Sequence, residues 1–130
     1  TVNNLVHTRL VPQNSPPIDS IADTGCTKHA FGDNDDIPSE KPILPTRVRM
    51  PNNSTMIFNK ITHLNLPLSK KATETNLYPA INHNLLSVPQ FCDEDCTAVF
   101  TKNTVKIYTK GAVTIIPNEQ PIIMGARDHH

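Results

Sequence analysis

The residues of this chain that are best suited to chemistry are Asp23, Thr24 and Gly25, which end the short apolar run that begins at Ile18. A carboxylate at the end of a buried strand is held rigidly, as acid–base chemistry requires. The Thr24 hydroxyl can brace the loop, and Gly25 lets the chain turn sharply and bring backbone N–H groups close to the carboxylate. The tripeptide is also ordinary turn chemistry, so the rest of the chain must decide between a catalytic aspartate and a plain loop.

Cysteine and histidine residues offer two rival chemistries. Cys26 and His29 have the side chains of a cysteine hydrolase, but a loop pair at this spacing seldom faces correctly and no third orienting group is evident. Cys92 and Cys96 are four residues apart, and the histidines lack zinc-finger spacing. We therefore expect no metal and no cofactor, and we interpret Cys92 and Cys96 as buried or half-buried thiols near a helix end.

The composition favours one small all-β domain. Twelve prolines and four glycines in 130 residues, with short apolar runs between them, predict many short strands joined by turns. The length allows one domain with a modest core. Twelve basic and twelve acidic residues balance, so we expect neither a nucleic acid nor a membrane as a partner.

The termini and the cysteine count bear on context. The chain starts and stops without a natural boundary, so we expect a segment of a longer polypeptide. It has no signal peptide and no apolar run of membrane-spanning length. An odd count of three cysteines favours a reducing compartment over a disulfide framework.

In the first half of the chain, alternating and apolar runs predict strands. A hairpin is expected from Arg47–Met50 and Thr55–Phe58, because Pro51–Ser54 between them is strong turn chemistry. The acidic, proline-bearing residues 31–43 predict a surface loop. Further strands are expected at Leu5–Val11, at the run that ends in Asp23 and at Ile61–Leu68.

In the second half we expect one short helix among strands. Ser87 can cap a helix over 88–93, Gln90 can reach back to the cap, and Pro89 falls in the first turn, where its missing N–H costs little. Residues 69–75 are expected to form a turn. Strands are expected at Leu77–Ile81, Cys96–Phe100, Thr104–Tyr108 and Val113–Ile116, with a further one at Ile122–Gly125.

Two segments, taken together, resemble a known family. Asp23-Thr24-Gly25 is followed further along by Ala80–Ser87, whose sequence is Ala-Ile-Asn-His-Asn-Leu-Leu-Ser. The pattern resembles the retropepsins, the aspartic proteases of retroviruses and retrotransposons. In those enzymes a strand ending in Asp-Thr/Ser-Gly precedes a flap hairpin, a Gly-Arg/Asn-Asn/Asp-Leu-Leu strand and a short helix. Residues Asn84–Asp93 and Val99–Lys102 are most similar to Ty1/copia-type retrotransposon polyproteins, and Met124–Asp128 resembles the junction before their integrase region.

The resemblance implies a fold and an activity. The fold would be a closed retropepsin-like β-barrel with a flap hairpin, forming a single domain over 1–130, with an N-terminal extension at 1–17 and a C-terminal β extension at 101–130. The activity would be that of an aspartic endopeptidase that processes a retrotransposon Gag-Pol polyprotein in cytoplasmic virus-like particles. The alternative is an inactive retropepsin-like domain that serves dimerisation or scaffolding within a polyprotein.

The same resemblance implies a two-fold homodimer. An aspartic protease needs two carboxylates that share one proton, with a water held between them. This chain has one Asp-Thr-Gly, so a second copy must supply the partner of Asp23. The substrate would be an extended peptide bound as an added strand under the two flaps.

Carried onto this chain, the family assigns roles by position. Asp23 is the catalytic acid, Thr24 braces the loop, and Gly25 supplies the turn. Asn82, His83 and Asn84 would support the active-site loop, whereas Val48 and Phe58 are expected in the core. The expected substrate-binding residues are Cys26, Thr27, Met50, Met56, Ile57 and Ile81. For Met50, Met56 and Ile57 a place in the core is the favoured alternative for any one of them.

Three positions depart from the family pattern. Asn82 replaces a glycine, so packing beneath the catalytic loop must differ. Thr27 and His83 stand where retroviral proteases pair an acidic residue with an arginine, so that ion pair is replaced at best by a neutral hydrogen bond. The expected flap tip, Asn52–Ser54, lacks glycine.

Overall fold

The computed structural model describes residues 6–10, 18–33, 41–49 and 53–127, and most of its regular structure is β-strand. This confirms the expected all-β class. The strands of the described residues are β1 (Val6–Leu10), β2 (Ile18–Asp23), β3 (His29–Gly32), β4 (Lys41–Arg49), β5 (Thr55–His63), β6 (Glu74–Tyr78), β7 (Leu85–Ser87), β8 (Thr97–Phe100) and β9 (Val105–Tyr108). The helices are α1 (Lys70–Thr73) and α2 (Val88–Asp93).

Seven of the described strands form one sheet in the order β1-β2-β7-β3-β6-β5-β4, and β8 and β9 form a separate antiparallel hairpin. Strand β7 lies between β2 and β3, parallel to β2 and antiparallel to β3. Strand β3 also pairs in parallel with β6. Because β1 and β4 are the two edges, the pairing of the described strands does not close the sheet into the expected barrel.

Two apolar clusters form the core of the described part of the chain. The larger one joins β3, β6, β7 and α2, and the smaller one packs beneath the β4–β5 hairpin. Phe58 and Tyr78 are neighbours in the smaller cluster, with ring centroids 5.4 Å apart. The buried members of the larger cluster are Phe31, Leu64, Ala72, Leu77, Leu86, Phe91 and Cys96.

The predicted hairpin is present as β4 and β5. Arg49 pairs with Thr55 and Val48 with Met56, which brings the strands together at the expected turn. The tip residues 50–52 lie outside the described residues. The prolines of β4 are tolerated because this is an edge strand, and the register shifts between Pro42 and Thr46.

Helix α2 forms where it was predicted. The Ser87 hydroxyl accepts a hydrogen bond from the Gln90 N–H at 3.1 Å, as a helix cap should. The expected return bond from Gln90 is wrong, because its side-chain oxygen instead accepts from the His29 N–H at 2.7 Å. The expectation of a single helix is also wrong, because Ser69 caps α1 by accepting from the Ala72 N–H at 3.1 Å.

Several predicted boundaries are wrong, because short apolar runs do not reveal their pairing partners. The loop expected over 31–43 includes the end of β3 and the start of β4, and the strand expected over Ile61–Leu68 ends at His63. The C-terminal β extension at 101–130 contains β9 but no other complete strand in its described part, so the strands expected at 113–116 and 122–125 are not found. The short helices in the described ranges lack the length needed to cross a bilayer.

Candidate active site

The Asp23 carboxylate lies at the end of β2 and is 2% exposed. Its Oδ1 accepts a hydrogen bond from the Gly25 N–H at 2.7 Å. This local bond from an aspartate to the backbone two residues on is the turn that the tripeptide predicts. The carboxylate is therefore held in one orientation by its own loop.

The Asp23 loop and the start of α2 are brought together by the parallel pairing of β2 and β7. Asp23 ends β2, Ser87 ends β7, and the two residues are register partners. Parallel strands place their carboxyl ends at the same edge of a sheet. Thr24, which follows Asp23, is half-buried and lines a cleft together with Val88 and Pro89 of α2.

Ser87 connects the loop to the helix. Its hydroxyl donates to the Cys26 carbonyl at 2.6 Å and accepts from the Gln90 N–H at 3.1 Å. The residue is 0% exposed. One side chain therefore holds both the end of the active-site loop and the first turn of α2.

His29 is 0% exposed, and both of its ring nitrogens have a partner. Nδ1 lies 2.8 Å from the Ser87 N–H, and Nε2 lies 2.7 Å from the Ala72 carbonyl oxygen. The ring also packs on Phe91, with centroids 4.6 Å apart. Burial, with a smaller contribution from the Lys28 charge, lowers the pKa of His29 from 6.5 to about 4, so the ring is neutral at physiological pH.

Asn84 ties the strands around the loop. Its side-chain oxygen accepts from the Gly32 N–H at 2.9 Å, and its amide donates to the Asp19 carbonyl at 3.2 Å. The Asn84 backbone carbonyl also accepts from the Ile21 N–H at 2.8 Å. Of the three residues expected to support the loop, Asn84 contacts the strands that carry it, whereas Asn82 and His83 are exposed in a bend.

A cleft of about 350 Å³ lies between the residues after Asp23 and the β4–β5 hairpin. One wall consists of Gly25, Cys26, Thr27 and Lys28, and the hairpin contributes residues from both sides of its tip. The remaining lining residues are Ala30, Val48, Arg49, Asn53, Tyr78 and Leu85. None of these lining residues carries a carboxylate, and Asp23, two residues before Gly25, is not among them.

Only some of the expected substrate-binding residues line the cleft. Cys26 and Thr27 line the cleft. Met56 and Ile81 pack against the smaller core cluster instead, and Ile57 is 50% exposed. Met50 lies outside the described residues.

Six cleft residues were not predicted: Lys28, Ala30, Arg49, Asn53, Tyr78 and Leu85. Lys28 and Arg49 flank the active-site motif and the predicted hairpin tip, so their position along the chain was a usable signal. Val48, expected in the core, does pack against the smaller cluster but also lines the cleft. Tyr78 and Leu85 reach the cleft through non-local strand pairing, which no local pattern reveals.

The geometry disfavours Cys26 as a nucleophile. Burial, followed by the neighbouring Asp23 charge, raises the pKa of Cys26 from 9.0 to about 12, which keeps it a thiol instead of the reactive thiolate. Both His29 nitrogens are engaged with Ser87 and Ala72. The histidine therefore cannot serve as the base for this cysteine without breaking one of those bonds.

The other two cysteines do not join a ligand cluster. Cys92 is exposed and Cys96 is buried, and both are free thiols. Burial raises the pKa of Cys96. Over the described ranges, no three His, Cys, Asp or Glu side chains come close enough to hold a metal ion.

The C-terminal segment returns to the site. Arg127 forms an ion pair with Asp93 of α2 and donates to the Pro89 carbonyl at 3.4 Å. With Thr24, these residues line a second cleft of about 450 Å³. The end of the described chain therefore lies beside the active-site loop.

Comparisons of this chain with known protein families, with curated proteins and with solved structures found no match.

Proposed function

We propose that this chain is an aspartic endopeptidase of the retropepsin type that acts as a two-fold homodimer, with Asp23 of each copy as its catalytic carboxylate. The observation that carries the proposal is the Asp23 carboxylate, which is fixed by the Gly25 N–H and directly precedes the loop residues that line a cleft together with the β4–β5 hairpin. A rigid acid next to a groove is the arrangement that peptide hydrolysis by acid–base catalysis requires.

A second copy is needed because one carboxylate performs only half of the chemistry. In an aspartic protease the ionised carboxylate takes a proton from the attacking water, and the protonated one polarises the scissile carbonyl. The described residues of this cleft provide no second acid. In the proposed dimer, the two Asp23 loops face each other where the cleft ends, and the water lies between the carboxylates.

The proposed substrate is an extended peptide. Strand β4 is one of the two edge strands of the described sheet, so its outward backbone groups are available to pair with a peptide strand. The β4–β5 hairpin would then act as the flap. Apolar side chains of the substrate would contact Ala30, Val48 and Leu85 in the cleft.

The biological setting follows from the sequence resemblance. A copia-type Gag-Pol polyprotein would be the substrate, and cleavage would take place in the cytoplasm within virus-like particles. The retropepsin-like barrel would be completed in the dimer. No cofactor is required, since the water and the two carboxylates supply the whole reaction.

Asp23→Asn tests the proposal. The substitution keeps the shape of the side chain but removes the charge, so it should reduce peptide cleavage by at least about a thousandfold while the protein still folds and dimerises. Asp19→Asn is the matched control, because Asp19 is an exposed carboxylate on the same strand. Cleavage that persists in Asp23→Asn would exclude Asp23 as the catalyst.

An inactive dimerisation or scaffolding domain is the second candidate. The observation in its favour is that Asp23 is 2% exposed in the single chain, because an acid that stays occluded cannot reach a substrate. Analytical ultracentrifugation alongside the cleavage assay separates the two candidates. A dimer that cleaves no peptide between mildly acidic and neutral pH would favour the scaffold.

A further inference from the structure

Three hydrogen bonds, two of them buried and the third partly buried, run in series from α1 to the Asp23 loop. The His29 Nε2 lies 2.7 Å from the Ala72 carbonyl oxygen, and its Nδ1 lies 2.8 Å from the Ser87 nitrogen. The Ser87 hydroxyl then donates to the Cys26 carbonyl at 2.6 Å. We call this series the His29 chain.

The direction of each bond in the His29 chain is fixed by its backbone partner. A backbone N–H can only donate, so Nδ1 of His29 accepts from Ser87. A carbonyl can only accept, so Nε2 carries the proton and donates to Ala72. The ring is therefore held as one neutral tautomer, in which Nδ1 accepts a hydrogen bond and Nε2 donates one.

We propose that His29 is a positioning residue for the Asp23 loop, acting through the Ser87 backbone N–H and the Ser87 hydroxyl on the Cys26 carbonyl. This inference rests on the proposed proteolytic function. His29 is not among the residues that line the cleft, and its ring nitrogens bond to Ser87 and Ala72, not to the Asp23 carboxylate. Its Nδ1 acceptor holds the last residue of β7, which is the register partner of Asp23.

The His29 chain bears on function as well as on stability, because it ends at the Cys26 carbonyl in the active-site loop. Cys26 is three residues after Asp23 and follows Gly25, whose N–H orients the carboxylate. If the Cys26 carbonyl loses its hydroxyl partner, the loop can rotate and the Gly25 bond lengthens. Small displacements of a catalytic group cost up to about a hundredfold in rate.

Two substitutions at His29 test the roles of its two ring nitrogens separately. Asparagine places an oxygen the same number of bonds from Cα as Nδ1, so it can still accept from Ser87. Glutamine places an amide nitrogen the same number of bonds from Cα as Nε2, so it can still donate to Ala72. Each variant therefore retains one of the two hydrogen bonds that the His29 ring makes and loses the other.

The test compares His29→Asn and His29→Gln in the full chain, using a peptide that the wild type cleaves. We expect kcat of His29→Asn to stay within about threefold of wild type, and kcat of His29→Gln to fall about tenfold or more, with little change in KM. Both should lower the unfolding midpoint by similar amounts. Thr75→Val is the matched control, because it removes another buried hydrogen bond, from the Thr75 hydroxyl to the Thr73 carbonyl at 2.9 Å.

A merely structural role predicts a different outcome. If the rates of both His29 variants and of Thr75→Val fall only in proportion to lost stability, the inference is wrong. It is equally wrong if His29→Gln retains its rate. Should both His29 variants fail to fold, nitrogen NMR of the wild-type ring decides, because a tautomer protonated at Nδ1 near neutral pH contradicts the proposal and one protonated at Nε2 supports it.

A readout without catalysis separates this inference from the proposed function. The Gly25 amide proton shift reports its hydrogen bond to Asp23. We expect that shift to move in His29→Gln and to stay in place in His29→Asn, whether or not any peptide is cleaved. If no variant moves the Gly25 signal, the positioning role is wrong even when the wild type is an active protease.

Discussion

His29 shows how one buried side chain sets the conditions under which the site is intact. Its ring is neutral because burial disfavours the charged form, which lowers its pKa from 6.5 to about 4. Protonation would also place a donor against the Ser87 N–H. The active-site loop is thus supported by a group that must remain uncharged.

This pKa predicts how stability depends on pH. Between pH 6.5 and 4 the unfolded chain binds a proton at His29 more readily than the folded chain does. The contribution of the neutral ring is therefore fully present above pH 6.5, falls as the pH is lowered through that window, and amounts to about 3 kcal/mol. Urea unfolding of wild type and His29→Asn from pH 4.5 to 7.5 checks this, since the variant should lose less stability on acidification. Parallel pH profiles for the two proteins would contradict the assignment.

Some residues of the site were readable from the sequence and others were not. Asp23, Gly25 and Ser87 carry local signals, namely a strand end, a turn and a helix cap, because each acts on residues a few positions away. His29 acts on Ser87 and Ala72, which are distant in sequence. No spacing along the sequence predicts such a contact, so the sequence indicates His29 only as an unconvincing base for a Cys26 nucleophile.

The same difference between local signals and distant contacts decides which helices and strands the sequence predicts. Helix α2 and the β4–β5 hairpin were predicted because a cap, a proline and a turn specify them locally. Strand β3 was missed, since its four residues are too few to show a period and its partners, β6 and β7, come from much later in the chain. The strands predicted at 113–116 and 122–125 are wrong, because an apolar run alone does not make a strand without a neighbouring strand to pair with. Their apolar residues have no partner strand among the described residues, and Ile122, Ile123 and Met124 are exposed.

The β4–β5 hairpin should also set a charge preference in the substrate. Of the two described cations that line the cleft, Lys28 is paired with Glu74, whereas Arg49 forms no ion pair with any described residue. The described lining has no acidic side chain. A peptide with an acidic residue beside its apolar anchor should therefore bind better than one with a basic residue.

Arg49→Glu tests that preference. With a peptide pair that differs by one Glu or Lys, the wild type should favour the Glu peptide in kcat/KM, and the variant should shift the ratio towards the Lys peptide by about fivefold. Arg47→Glu is the control, because Arg47 is exposed on the same strand and does not line the cleft. An equal shift in both variants would mean that net charge, instead of the cleft, discriminates.

At the scale of the whole molecule, we expect that only the dimer is active. Equal numbers of basic and acidic residues give no net charge to oppose self-association. An active site built from two identical halves should then lose activity on dilution, because dilution separates the halves.

Mixing wild type with Asp23→Asn tests this directly. If subunits exchange at random, a ninefold excess of the variant should leave each wild-type chain with about a tenth of its activity, because most of its partners then lack the second carboxylate. A ninefold excess of Asp19→Asn should cause no such loss. Wild-type activity that is unaffected by the inactive variant, in mixtures shown by sedimentation to contain exchanged dimers, would mean that each Asp23 works without a partner. Since a lone carboxylate cannot act as both the base and the acid, that result would exclude the aspartic-protease mechanism itself.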